Sequence, residues 1–288
     1  MKTRDRIAYR TPYTKALRWL GKCLPGDYLK SFVYLHCIAT PRRLLRRFAG
    51  SFYRMELPYE VLKEYKGAYR GPFSILEFGV ANGYAFVKTL YATRYLRMED
   101  QVAVHGFDSF EGLRPPGHED RGLASIEWEA GQYRGSSGTL VSYCERRGYR
   151  NFNIHKGYFE DTLTDTVLDE LKRAQPILVW IDCDYYKSAR TVFERLLPTL
   201  PNGCVVYFDD YEFNFGTRFT GESRLVYEIN HGAFGDGIEL VLDRHLSLDT
   251  ERVYRFIRCD SSCIQYERLS RLERAGKPRA ISDGSPLP

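Results

Sequence analysis

From residue 71 onward, apolar residues come in short runs that end at glycine or acid, and they alternate with stretches of helical period. Ser74 to Gly79 (SILEFG) predicts a buried strand and Tyr84 to Leu96 a helix. Strands are predicted again at Gln101 to Phe107, Asn151 to His155, Pro176 to Ile181 and Gly203 to Phe208, with a helix from Ser188 to Leu197 between the last two. Ile238 to Leu242 and Val253 to Arg258 have strand composition, and the ten residues between them fit a hairpin connection. Strands alternating with helices predict an α/β domain with right-handed βαβ crossovers and a mostly parallel sheet. The tail from about Arg274 is rich in Pro, Gly and Ser and is expected to be disordered.

Residues 1–70 read differently. The pattern there is helical, broken by turn signals, with Thr40 and Pro41 as N-cap and first residue of one helix. In that helix Arg42, Arg43, Arg46 and Arg47 stack on one side of a stripe of Leu44, Leu45 and Phe48. Such a helix can lie on an anionic membrane, giving a peripheral contact through Arg42 to Arg47. Its ordinary reading is a solvated face over a packed stripe. The expected organisation is therefore a basic helical segment (1–70), a catalytic-type α/β domain (71–262) and a C-terminal extension (263–288).

Charge sharpens that division. Of the 42 basic and 37 acidic residues in the 288-residue chain, the first 70 residues hold 16 and 5. A basic arm that could meet nucleic acid, anionic lipid or an acidic partner thus precedes a mildly acidic domain, and the domain's own acidity argues against nucleic acid as its substrate. Apolar residues at 43% and charged ones at 27% exclude wholesale disorder and a disulfide miniprotein. No stretch approaches the roughly 18 to 20 apolar residues that span a bilayer. The N-terminus has no apolar run of the secretory kind, and the seven cysteines show no C-x-x-C pair, so a cytoplasmic, reduced setting is expected. Aromatic content is high at 15%, with 22 Tyr, consistent with wet pockets and with a homo-oligomer.

In an open α/β sheet, ligands bind beyond the carboxyl ends of the strands. The first predicted strand ends in Glu77-Phe78-Gly79-Val80-Ala81-Asn82-Gly83, an E-x-G-x-x-x-G turn feeding a helix. Glycines there let a backbone approach a ligand, and the helix start offers free N–H donors. The second strand ends in Asp108, an acid placed to accept from both hydroxyls of a ribose. Two further strands end in Asp182-Cys183-Asp184 and Asp209-Asp210-Tyr211. If those strands are neighbours, their carboxylates converge and repel, so a cation belongs among them. Oxygen-only donors suit Mg²⁺ or Ca²⁺. The other reading is that Arg190 or Lys187 neutralises them. No His spacing of metal-site type, G-x-S-x-G elbow or P-loop is present, and His105 and His155 read as core residues of their strands.

Five blocks in order carry a family resemblance: ILEFGVANG (75–83), GFDSFEGL (106–113), KGYFEDTL (156–163), WIDCDYYKS (180–188) and FDDY (208–211). Over residues 70 to 245 the chain resembles the macrocin O-methyltransferase family, class I methyltransferases that use S-adenosylmethionine (SAM) on sugar hydroxyls. The resemblance implies a Rossmann-like seven-stranded sheet, mostly parallel, with helices on both faces and an antiparallel C-terminal hairpin. It implies that Glu77, Gly79, Ala81 and Gly83 wrap the methionine part of SAM, and that Asp108 and Ser109 hold the ribose. Gly157, Tyr158 and Phe159 would lie against the adenine. Asp182, Asp209 and Asp210 would bind Mg²⁺, with Asp182 also near SAM, and Asp182 or Asp184 would take the proton from the acceptor. The acceptor would be a small molecule or glycan with a free hydroxyl. His118, Trp128 and Tyr133, on the loop after Asp108, would cover SAM or acceptor. The chain departs from the family pattern at Cys183, where a small Gly is usual, and at Lys187, where an acid is usual.

Two other functions compete with this reading. A nicotinamide-dependent oxidoreductase would carry G-x-G-x-x-G and has no use for three carboxylates. A non-catalytic protein that keeps the SAM-binding fold and acts through its basic arm would tolerate Cys183 and Lys187.

Overall fold

The computed structural model describes residues 56–120, 128–247 and 252–259. The Arg42 to Arg47 helix, the rest of the basic segment before residue 56, and the extension from residue 263 lie outside them.

Seven strands form one sheet: β1 (Phe73–Phe78), β2 (Val102–Asp108), β3 (Phe152–Lys156), β4 (Gln175–Ile181), β5 (Val205–Phe208), β6 (Ile238–Leu242) and β7 (Arg252–Arg258). Their order is β3-β2-β1-β4-β5-β7-β6. The first five are parallel, and β7 runs antiparallel between β5 and β6. The mixed sheet with its antiparallel end is thus as expected. β1 and β4 lie at the centre, and β1 is buried at every position, Ser74 and Glu77 included, which is why both read as mainly apolar runs rather than alternating ones.

Seven helices are described. α1 covers residues 56–65, α2 is Tyr84–Tyr95, α3 Ser137–Arg146, α4 Phe159–Thr162, α5 Asp165–Arg173, α6 Tyr186–Leu196 and α7 Gly221–Asn230. One side of the core joins Phe78, Val179, Ile181 and Phe208 of the sheet to Val192 and Phe193 of α6 and Leu225 and Ile229 of α7. A second cluster packs Phe86 and Leu90 of α2 and Leu140 of α3 against Val104 of β2. Helices begin where the sequence supplies caps: the Ser136 hydroxyl accepts from Thr139 N–H, and the Thr164 hydroxyl accepts from Val167 N–H.

A compact unit begins at Leu57, ahead of the first strand. The reason is α1. Its Leu57, Val61 and Leu62 are buried, the Tyr65 ring meets Phe73 of β1 at 5.4 Å, and Glu64 pairs with Arg255 of β7 at 2.7 Å. Helix α6 likewise starts two residues before the expected Ser188, because its first turn packs Tyr186 into the core.

His105 is wholly buried on β2, with Nδ1 3.1 Å from His155 Nε2 on β3. The two rings stack, and His155 also lies 4.3 Å from Phe107. Burial, reinforced by His155, pulls the His105 pKa down from 6.5 to about 4. The folded state therefore holds a neutral ring at pH values where the unfolded chain takes up a proton. Stability is expected to fall as pH drops from about 6.5 to about 4, by up to about 3 kcal/mol from this ring. Urea unfolding across that range checks this: His105→Phe should flatten the profile, and an unchanged slope would contradict it.

Candidate functional site

The parallel ladder continues one residue past each strand and aligns the residues that follow. Gly79 N–H donates to Phe107 C=O, Asp182 N–H to Phe78 C=O, Asp209 N–H to Ile181 C=O, and Gly157 N–H to Asp108 C=O, all at 2.9–3.0 Å. Gly157, Asp108, Gly79, Asp182 and Asp209 therefore sit in that order along one rim. The crossovers lead from β1 to β2 and β3 on one side, and on the other side β4 leads to β5. The reversal falls between β1 and β4, where a crevice opens in this class of sheet.

The glycine turn is built around two contacts. Gly79 has φ +91°, and a Cβ on it would lie 1.7 Å from the Asp182 carbonyl oxygen, so only glycine lets β1 and β4 meet here. Asp108 then braces the turn from β2: Oδ2 accepts from Val80 N–H and Ala81 N–H, each at 2.7 Å, and Oδ1 accepts from Phe110 N–H. The acid read as a ribose ligand is thus also the anchor of the loop. Ala81 takes a left-handed conformation, φ 46°, and Gly83 is the N-cap of α2. Glu77 is buried on β1. The Ser109 hydroxyl accepts from Glu111 N–H. Tyr158 stacks under the Arg114 guanidinium at 3.5 Å and donates its hydroxyl to Glu111, while Phe159 meets Phe78 edge-on at 5.5 Å.

On the other side of the reversal, Asp182, Asp209 and Asp210 come together, each offering a carboxylate oxygen within 4.8 Å of the others. All three are half-buried. Of the two cations weighed as their partners, Arg190 pairs with Glu194 at 2.8 Å and Glu228 at 3.0 Å, and Lys187 is exposed. Asp184 sits beside the cluster with φ 63°, a strained value for a residue with a side chain. Cys183 between them is buried, and desolvation pushes its thiol well above its usual range, with Glu222 and the neighbouring aspartates adding to the shift. It packs as an apolar residue and is no nucleophile.

Two members of the site were not singled out in the sequence. Tyr207 of β5 donates its hydroxyl to Asp209 Oδ1 and fixes that carboxylate's direction. The signal was available, since residues two apart on a strand share a face. Glu222 in the first turn of α7 is the other. Its Oε2 accepts the Asp210 N–H at 3.0 Å, and its Oε1 is buried without a partner. Burial, and after it the charges of Asp210, Asp209, Asp182 and Asp184, push the Glu222 carboxyl well above the usual carboxylate range. The donor set fits a hard divalent cation: three converging carboxylates, a buried carboxyl oxygen awaiting a partner, and no thiolate or imidazole.

The loop after Asp108 returns on itself, with Gly131 N–H donating to Leu113 C=O and Leu113 N–H to Gln132 C=O. Trp128 stacks on Phe213 at 4.5 Å and meets Tyr133 at 5.7 Å, over the turn that follows Asp210. His118 lies in a short 3₁₀ turn with Asp120, whose carboxylate accepts the backbone N–H of Lys187.

Residues 76–211 match the methyltransferase-domain family. The fold is similar to that of CalS11, the calicheamicin methyltransferase, with TM-score 0.54 and 19% identity over 85% of this chain and 93% of that one. It is also similar to the O-methyltransferase NovP, with TM-score 0.50 and 18% identity over 72% of this chain and 80% of that one. No curated protein sequence matches the chain. The fold is therefore the Rossmann-like class I methyltransferase fold, and residues 76–211 are similar to the methyltransferase-domain family. Among the described residues no helix is long and apolar enough to cross a membrane.

Proposed function

We propose that the protein is a SAM-dependent O-methyltransferase that uses a divalent cation, Mg²⁺ in the first instance, and acts on a hydroxyl of a sugar or other polyhydroxylated acceptor. The convergence of Asp182, Asp209 and Asp210 beside the β1 turn carries this reading, because hydride transfer has no use for such a cluster. The family match supports methyl transfer, and the resemblance to macrocin O-methyltransferases supports a glycosidic acceptor.

The β1 turn would receive the amino-acid end of SAM, with Glu77 below it and the N–H groups at the start of α2 facing it. Asp108 spends three acceptor positions on its own chain, so Oδ1 has room for one ribose hydroxyl where the sequence implied two. Tyr158 and Phe159 would border the adenine, and the Arg114 guanidinium holds the Tyr158 ring in place.

Asp182, Asp209 and Asp210 would hold the cation, which when bound supplies a Lewis acid that eases loss of the hydroxyl proton. SAM when bound would supply the methyl group to the acceptor oxygen and leave as S-adenosylhomocysteine, and the residues around it would hold the two in reach of each other. The hydroxyl proton passes to Asp182 or Asp184. Tyr207 and Glu222 keep Asp209 and Asp210 in position, and Trp128 and Tyr133 would shield the acceptor from water.

A coupled assay of S-adenosylhomocysteine release over a panel of glycosides tests the proposal. Turnover of a glycoside that EDTA abolishes and Mg²⁺ restores is expected. Turnover unaffected by EDTA would remove the cation from the account.

A further inference from the structure

Glu222 has no place in the roles that the sequence resemblance implies, and it lies at the centre of the acidic end of the site. A wholly buried carboxyl with one oxygen lacking any partner is costly against an apolar residue of the same shape. Helix α7 would pack without it, because Leu225, Val226 and Ile229 supply the apolar face. What the carboxyl does reach is the peptide of Asp210, whose N–H it accepts at 3.0 Å.

The next peptide along the turn is held as well, with the Asp210 C=O accepting from Phe213 N–H at 3.0 Å. The start of α7 is itself tied down: the Ser223 hydroxyl donates to Thr217 C=O at 2.6 Å and to Thr220 C=O. The carboxyl group is therefore presented from a rigid base to a short turn two residues long between β5 and Tyr211. Asp209 is fixed independently through Tyr207 and through the ladder bond to Ile181. Asp210 is held through its N–H by Glu222.

We propose that Glu222 is a positioning residue of the cation site: by accepting the Asp210 N–H it keeps the Asp210 carboxylate gathered with those of Asp182 and Asp209. This rests on the cation reading above. It predicts that the hydrogen-bond acceptor matters more than the charge, since glutamine at this position retains an acceptor of the same reach.

Titration of the full chain with Mn²⁺ by calorimetry, beside a SAM titration, tests it in the wild type, Glu222→Gln and Glu222→Leu. Glu222→Gln should bind Mn²⁺ within about threefold of wild type, and Glu222→Leu at least about tenfold more weakly. Both should bind SAM as wild type does, a split that a general loss of packing would not produce. Wild-type Mn²⁺ affinity in Glu222→Leu would overturn the proposal, as would a loss in Glu222→Gln as large as in Glu222→Leu. Should the leucine variant not fold, Glu222→Ala takes its place as the variant without an acceptor: a loss of at least about tenfold in Mn²⁺ affinity supports the proposal and wild-type affinity overturns it. A wild type that takes up no Mn²⁺ at all would instead overturn the cation reading, and this inference with it.

Discussion

Replacing Asp209 and Asp210 together by alanine will lower methyl transfer by at least about a thousandfold while SAM affinity stays within about threefold. The split follows from where the two halves of the site are built. The residues that would face SAM lie on the β1 turn and at the ends of β2 and β3. The converging carboxylates lie across the reversal, at the ends of β4 and β5. Removing two of three carboxylates leaves Asp182 as a lone ligand, and Tyr207 loses the acceptor of its hydroxyl. Rapid-quench or steady-state assays would read the rate, and calorimetry the SAM affinity. A double variant with near-normal turnover would show that the carboxylates are structural. One that loses SAM binding to the same extent would show that the two halves are not separable.

Gly79→Ala is expected to be the most damaging single substitution on the β1 turn. The added Cβ would lie 1.7 Å from the Asp182 carbonyl oxygen and 2.7 Å from its carbonyl carbon. Neither is a flexible side chain, so β1 and β4 would have to separate at their carboxyl ends. The left-handed φ of +91° adds a further penalty that glycine escapes. Together these put the expected loss at about 3–5 kcal/mol, with SAM binding lost as the turn moves away from Asp108. Chemical unfolding and SAM titration of the variant would measure both. Wild-type stability in Gly79→Ala would mean that the contact between the two strand ends is looser than the structure has it.

Much of the fold and part of the site could be read from the sequence because the relevant signals are local. Buried parallel strands announce themselves as mainly apolar runs, and their carboxyl ends are marked by Gly79, Asp108, Asp182 and Asp209 at the points where those runs stop. The antiparallel pair β6 and β7 was legible from composition and spacing. What the sequence did not disclose depends on contacts between distant segments. Asp108 reads in the sequence as a ribose ligand at the end of its strand. Only the meeting of β2 with the β1 turn puts two peptide N–H groups on its Oδ2. Glu222 looks like an ordinary acid near a helix start, and its burial becomes visible only when α7 is laid against β5. Helix α1 was grouped with the basic segment on charge, yet its apolar face belongs to the sheet through Leu57, Val61 and Leu62.

The most direct test of the account is calorimetric titration of the full chain with SAM, with and without Mg²⁺, beside the Asp209→Ala/Asp210→Ala variant. The account predicts micromolar SAM binding in both proteins and a Mg²⁺ signal that the variant lacks. No SAM binding by the wild type would contradict it outright.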